Sequence, residues 1–319
     1  MASGPTWDTI AIVGVGLIGG SIGLALKKRQ LCRQIIGIGR RPAPLRTAKQ
    51  LGAIDVATTD WERGVASAQL VVVCTPVDQV VEHVRRVQAA CPASTIITDV
   101  GSTKASIVAA LDHPLTASDS KKSPSINTRS TSPPATASAA AARTAAARSS
   151  ASVARFVGSH PMAGSERAGV RHASADLFDD KTVIVTPGAT SLSADVRKVE
   201  RWWRALGGRV VRMTPIEHDA AVASISHAPH LVAAALAAAS PRQHLRLIGS
   251  GWRDTTRIAA GDPELWRQIL LDNRQELLRS LASFSAVIDP YQQALQRGDS
   301  AALIKLLELG KKIRDAVGN

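Results

Sequence analysis

Aromatic residues are scarce in this chain: one Tyr, three Phe and six Trp among 319 residues. A core must be filled from Ala, Val, Leu and Ile. A basic surface interleaved with stacking rings, of the kind that grips single-stranded nucleic acid, is not expected. Cysteine is rarer still. Cys32, Cys74 and Cys91 are an odd number without metal-ligand spacing, which argues against a disulfide framework or a metal site and for buried free thiols in a reducing, cytoplasmic compartment. Apolar runs stop short of the roughly 18 residues of a membrane span, and no charged-then-apolar leader opens the chain, so no membrane partner is expected. Acidic residues are too few to balance basic ones: 26 Asp and Glu against 39 Lys and Arg leave a net charge of +13. The excess is mostly dispersed, so arginine-rich composition or an anionic small-molecule substrate accounts for it more simply than nucleic acid does.

What is present is apolar residue in ordered runs. "TIAIVGVG", "QIIGIG", "LVVVCTP" and "STIITDVGS" read as strands, with "LIGGSIGLALKKR", "PLRTAKQLGA" and "VDQVVEHVRRVQAA" as the helices between them. Continuously apolar strands separated by helices predict a parallel sheet covered on both faces, a doubly wound α/β sheet of Rossmann type. Residues 113–152 break the pattern: Ala, Ser, Thr and Pro supply 30 of these 40 positions. A segment with so little to bury does not offset its ordering entropy, and a disordered, looped-out insertion is expected. The sheet resumes with "ARFVGS", "KTVIVTP" and "RVVRM", a helix at 191–206 joining the last two. Beyond Pro215 only helical spacing remains. The expected domains are therefore 1–215, dinucleotide-binding, and 216–319, all-helical, binding substrate and dimerising through its apolar faces.

Gly14, Gly16 and Gly19 form G-x-G-x-x-G between the first strand and its helix. In that context the first glycine makes the tight turn, the second admits a pyrophosphate and the third lets helix and strand pack. Leu17 and Ile18 open the helix whose amides would meet the phosphates. The acid that would bind a free ribose 2′-hydroxyl is missing: Gly39 stands there, followed by Arg40 and Arg41. Arginines without the acid favour a 2′-phosphate, hence NADP over NAD. Thr75 and Pro76, at the end of another strand, are expected to line the nicotinamide side.

A nicotinamide cofactor implies hydride transfer, and hydride leaving a carbinol carbon needs a base for the hydroxyl proton. In "VGSHPMAGSERAGV" a strand ends at His160, followed by a constrained loop with two glycines. A histidine at the carboxyl edge of such a sheet sits where these folds bind ligands. Lys104 is read as a solvated residue at a helix start.

With "VGVGLIGGS", "TDVGSTK", "SHPMAGSERAG", "SHAPH" and "DTTRIAAGDPELW" in order, the chain resembles the prephenate/arogenate dehydrogenases of tyrosine biosynthesis over nearly its whole length, the 113–152 insertion excepted. The resemblance implies an all-α second domain of the 6-phosphogluconate-dehydrogenase-like type. It also implies oxidative decarboxylation of prephenate to 4-hydroxyphenylpyruvate, or of arogenate to tyrosine. Within it His160 is the catalytic base, Ser102 binds beside the substrate hydroxyl and nicotinamide, and Arg257 pairs with a substrate carboxylate. His230, Ser165, Glu166, Asp254 and Trp266 contribute to the substrate pocket. The insertion departs from the family's pattern, and no regulatory or chorismate mutase segment is expected after the last helix. Prephenate, or use of both substrates, is favoured. Two rivals remain open: a hydroxy-acid or imine dehydrogenase, which would place a lysine in the helical domain, and a non-catalytic dinucleotide sensor.

Overall fold

The computed structural model describes residues 6–112, 155–165 and 167–318. Strands β1 (Trp7–Val13), β2 (Cys32–Ile38), β3 (Val56–Thr58), β4 (Leu70–Val73), β5 (Ile96–Asp99), β6 (Arg155–Pro161), β7 (Thr182–Thr186) and β8 (Arg209–Arg212) join in one sheet. Its order is β3-β2-β1-β4-β5-β6-β7-β8. The first six strands are parallel. Their apolar runs are buried on both faces: Ile10, Ile12, Ile35, Leu70, Val72 and Val157 are all inaccessible to solvent. Each such side chain contributes on the order of 1.5–3 kcal/mol by leaving water.

The sheet departs from the all-parallel expectation at one place. β7 pairs antiparallel with β6, His160 facing Ile184, and β8 then runs parallel to β7. The connection from the end of β6 to the start of β7 lies at one edge of the sheet, and its described residues include a 3-10 turn, Val170–His172. A parallel neighbour would have required a crossover to the opposite edge, usually through an α-helix. β3 was not anticipated, because three half-exposed or exposed residues on a sheet edge carry no apolar run.

Helices α1 (Leu17–Lys28), α2 (Pro42–Gln50), α3 (Trp61–Val65), α4 (Val77–Ala90), α5 (Ala105–Asp112) and α6 (Ser193–Ala205) cover the sheet. Three of the aromatics cluster where α6 meets the sheet. Trp203 is wholly buried, with Trp202 at 4.6 Å and Phe178 at 5.4 Å, both edge-on. Of the cysteines, all free, Cys32 is buried while Cys74 and Cys91 are only half-buried, against the expectation for all three. The insertion expected at 113–152 lies outside the described residues.

The chain divides into two compact units, Met1–His218 and Asp219–Asn319. The second is built from helices. α7 (Pro215–Val222), within which the division falls, passes through a π-helical turn, Ala223–His227, into α8 (Ala228–Ala239). After it come α9 (Ser250–Thr256), α10 (Pro263–Asp272), α11 (Arg274–Arg297) and α12 (Ser300–Val317). The helical stretch from Pro263 to Arg297 is two helices, broken at Asn273. That side chain donates to Asp219 O at 2.8 Å and meets His227 Nδ1 at 3.2 Å. The run Pro215–Ala239 is long and apolar enough, by length and composition, to cross a membrane. The expectation that no segment reaches this length fails here, because histidines and acids interrupt the run without outweighing its alanines. Its buried residues, His230 and Ala233 among them, pack beside α9, α11 and the 3-10 turn Arg257–Ala260.

Candidate active site

The carboxyl ends of β1, β2, β4, β5 and β6 carry the residues singled out in the first unit. Between β1 and its neighbour β4 the chain order reverses direction across the sheet, the place where such folds open a ligand crevice. Gly14 has φ +89°, and a Cβ there would stand 2.6 Å from Cys74 O. A Cβ on Gly19 would stand 2.2 Å from Gly14 O, so strand and helix meet through bare backbone. Gly16 is different: nothing lies within 4 Å of its would-be Cβ. It is the N-cap of α1, no side chain caps that end, and no acid occupies the first turn. The leading amides, those of Leu17 and Ile18 included, therefore have no side-chain cap, and the positive end of the helix dipole lies behind them. These residues fit a dinucleotide pyrophosphate.

Arg40 and Arg41 are exposed just beyond β2. Thr75, beyond β4, bonds His83 Nδ1 at 2.9 Å. His83 in turn packs 4.9 Å from the Trp61 ring, and Arg86 lies over that ring at 4.5 Å. Burial pushes His83 below the ordinary histidine pKa, with the charges of Arg40 and Arg86 acting the same way and Glu82 against them. Pro76, exposed, is the N-cap residue of α4.

His160 is 7% exposed near the end of β6. Its Nδ1 lies 2.9 Å from Nε2 of His218, a fully buried residue of α7. The rings meet edge to face, with centroids 5.1 Å apart. The sequence reading missed His218. "TPIEHD" reads as a helix start, and its only signal was a histidine directly beyond the last strand. One of the two nitrogens donates to the other, so the pair orients the His160 imidazole as a third group orients the base of a hydrolytic triad. Ser102 is half-buried on the loop between β5 and α5, at the edge of the strand adjacent to β6. Lys104, read as solvated, is instead wholly buried and paired with Asp99 at 2.5 Å. Ser165 is exposed, its hydroxyl accepting from Arg167 N at 3.1 Å within its own loop. Glu166 lies outside the described residues.

In the second unit, His230 is buried and lies flat on Trp266, with centroids 3.5 Å apart and planes 11° apart. Gly261 makes this possible, since a Cβ there would stand 2.5 Å from Trp266 Nε1 and 3.2 Å from His230 Cε1. Burial lowers the His230 pKa. Arg257 heads the turn Arg257–Ala260 and is exposed, as is Asp254 on α9.

Residues 22–120 and 136–212 match the prephenate dehydrogenase nucleotide-binding domain, and residues 214–309 match the prephenate dehydrogenase dimerization domain. Prephenate dehydrogenase of Bacillus subtilis is 32% identical over 97% of this chain and 76% of its own length. Cyclohexadienyl dehydrogenase of Zymomonas mobilis is 29% identical over 97% of this chain and 95% of its own. Among solved structures, Aquifex aeolicus prephenate dehydrogenase with hydroxyphenyl propionate and NAD+ superposes with a TM-score of 0.79 at 28% identity, covering 97% of this chain and 98% of that one. Synechocystis arogenate dehydrogenase superposes with a TM-score of 0.72 at 26% identity, covering 97% and 99%. With both of its units matched to domains of one family and a glycine-rich turn at the head of its sheet, the chain belongs to the prephenate dehydrogenase family of pyridine-nucleotide-dependent oxidoreductases.

Proposed function

We propose that this enzyme oxidatively decarboxylates prephenate to 4-hydroxyphenylpyruvate, with NADP+ preferred to NAD+, as a cytoplasmic homodimer in tyrosine biosynthesis. The observation that carries the reading is the His160–His218 pair at the carboxyl edge of the sheet. His160 Nε2 is assigned to the substrate hydroxyl, and His218 holds the ring and shares the charge it gains on taking that proton. A nicotinamide, when bound, supplies the hydride acceptor. Ser102 binds beside the hydroxyl and keeps it aligned with His160. Loss of carbon dioxide makes the ring aromatic, which renders the reaction effectively irreversible. Arg257 offers a planar fork for a substrate carboxylate, a geometry lysine does not reproduce. His230, Trp266, Asp254, Ser165 and Glu166 are assigned to the rest of the substrate's contacts.

The dinucleotide is assigned to residues 1–215, held by Gly14, Gly16, Leu17, Ile18, Gly19, Thr75 and Pro76. The preference for a 2′-phosphate rests on Arg40 and Arg41 standing where a ribose-binding acid would be. Residues 216–319 are assigned to substrate binding and self-association, in keeping with their match to a dimerization domain. Three free thiols accord with a reducing compartment.

The reading is tested by initial rates at 340 nm with prephenate and arogenate, each paired with NAD+ and with NADP+. Prephenate with NADP+ should give the highest kcat/KM. A dominant arogenate rate reassigns the substrate, and a dominant NAD+ rate removes the role given to the arginines. Cofactor binding without turnover in any pairing makes the chain a sensor.

A further inference from the structure

Behind the two segments that carry Ser102 and His160 lies a buried ion pair that the reaction does not use directly. Asp99 ends β5 and Lys104 immediately precedes α5. Both side chains are wholly buried, 2.5 Å apart. Among the described residues, the Asp99 carboxylate meets three partners. Oδ2 accepts from Lys104 Nζ and, at 2.9 Å, from Gly101 N. Oδ1 accepts from Ser159 N at 3.0 Å. The main-chain oxygen of Asp99 accepts from Ser159 Oγ at 2.6 Å, and that hydroxyl also accepts from Trp203 Nε1 at 2.9 Å. Gly101 makes room for the pair: a Cβ there would stand 2.9 Å from Asp99 Oδ2 and 3.1 Å from Lys104 Nζ.

One carboxylate thus ties together the amide before Ser102 and the amide before His160. Stability does not account for it, because desolvating two charges costs about what their attraction returns, and apolar side chains would fill the same volume as well or better. Apolar side chains would not, however, accept from two amides on separate segments. We propose that Asp99 and Lys104 are positioning residues. Asp99 sets the spacing between the Ser102 loop and the His160 strand, and Lys104 holds the carboxylate in the orientation that reaches both. Neither is assigned a contact with substrate or cofactor. The inference rests on the roles given above to His160 and Ser102.

Two variants and a background test it. Asp99→Asn keeps the shape but turns one of the two acceptor oxygens into a donor. Asp99→Asn/Lys104→Met does the same without leaving a buried unpaired ammonium, so it folds even where the single variant does not. The expected result is a loss of about 10²-fold in kcat, the size of effect that a small misplacement of reacting groups produces. KM for substrate and Kd for the dinucleotide should stay within about twofold, since the ligand contacts remain. On a His160→Asn background the double substitution should cost little more, because what it positions is already gone. Wild-type kcat in the folded double variant overturns the positioning role alone. So does a full further loss on the His160→Asn background. Wild-type turnover in His160→Asn itself overturns the reading of the base, and the positioning role with it.

Discussion

His160 and His218 stand 58 positions apart in the chain and share a 2.9 Å hydrogen bond between Nδ1 and Nε2. The bond commits the Nδ1 side of the His160 ring to the protein and directs Nε2 to the substrate hydroxyl in the proposed reaction.

Replacing His160 with Asn should lower kcat by about 10³-fold, within the range that a positioned base contributes. The dinucleotide Kd, followed by quenching of tryptophan fluorescence, should be unchanged. A variant with unaltered turnover takes His160 out of the mechanism.

Replacing His218 with Phe keeps a planar aromatic ring at the position but removes the nitrogen partner. It should lower kcat by about 10-fold or more while KM holds, as loss of an orienting group does in other base-assisted enzymes. Equal kcat with a raised KM would instead assign His218 to substrate binding.

Gly16 and Gly19 should respond in opposite ways to alanine. At Gly19 the methyl would meet Gly14 O at 2.2 Å, so the strand–helix contact must open and stability should fall by about 1–3 kcal/mol. At Gly16 the space is empty, so the melting temperature should hold while KM for the dinucleotide rises. Calorimetry and steady-state kinetics on the two variants separate the packing glycine from the ligand glycine.

Changing Arg40 and Arg41 to serine should depress kcat/KM for NADP+ by tenfold or more and leave NAD+ nearly untouched, since two charge-assisted contacts to one phosphate would be lost. A parallel fall with both cofactors points to general electrostatic attraction.

Burial lowers the pKa of His83 and of His230 from the ordinary 6.5. As pH falls, the unfolded chain takes up these protons before the folded one does. Their contribution to stability is therefore whole above about pH 6.5 and shrinks as pH drops toward the folded-state values. Melting temperature should fall between pH 7.5 and pH 5.5, and His83→Gln/His230→Gln should flatten that slope. An unchanged slope assigns the acid sensitivity to other groups.

Much of this protein is written locally. Ile10 to Val13 and Leu70 to Val73 read as strands because both faces of a parallel sheet demand unbroken apolar runs. Gly14, Gly16 and Gly19 disclose a turn, an opening and a contact because each role depends on a missing Cβ within a few residues. Other features are not local. "KTVIVTP" looks the same whether β7 runs parallel or antiparallel to β6. Lys104 looks the same whether it is solvated or sealed against Asp99, since a helix start with a cation carries no mark of what covers it.

The sequence by itself determined the glycine-rich turn, the long apolar strands of the parallel sheet with helices between them, and a histidine at the edge of the sheet, because these depend on backbone conformation and near neighbours. Only the tertiary structure decided which partners that histidine and its strand acquire. His218 reaches His160, and Asp99 reaches Ser159, because two distant segments pack within about 3 Å. Hydrogen bonds at that range follow from how the chain folds back on itself, which no short stretch of it records.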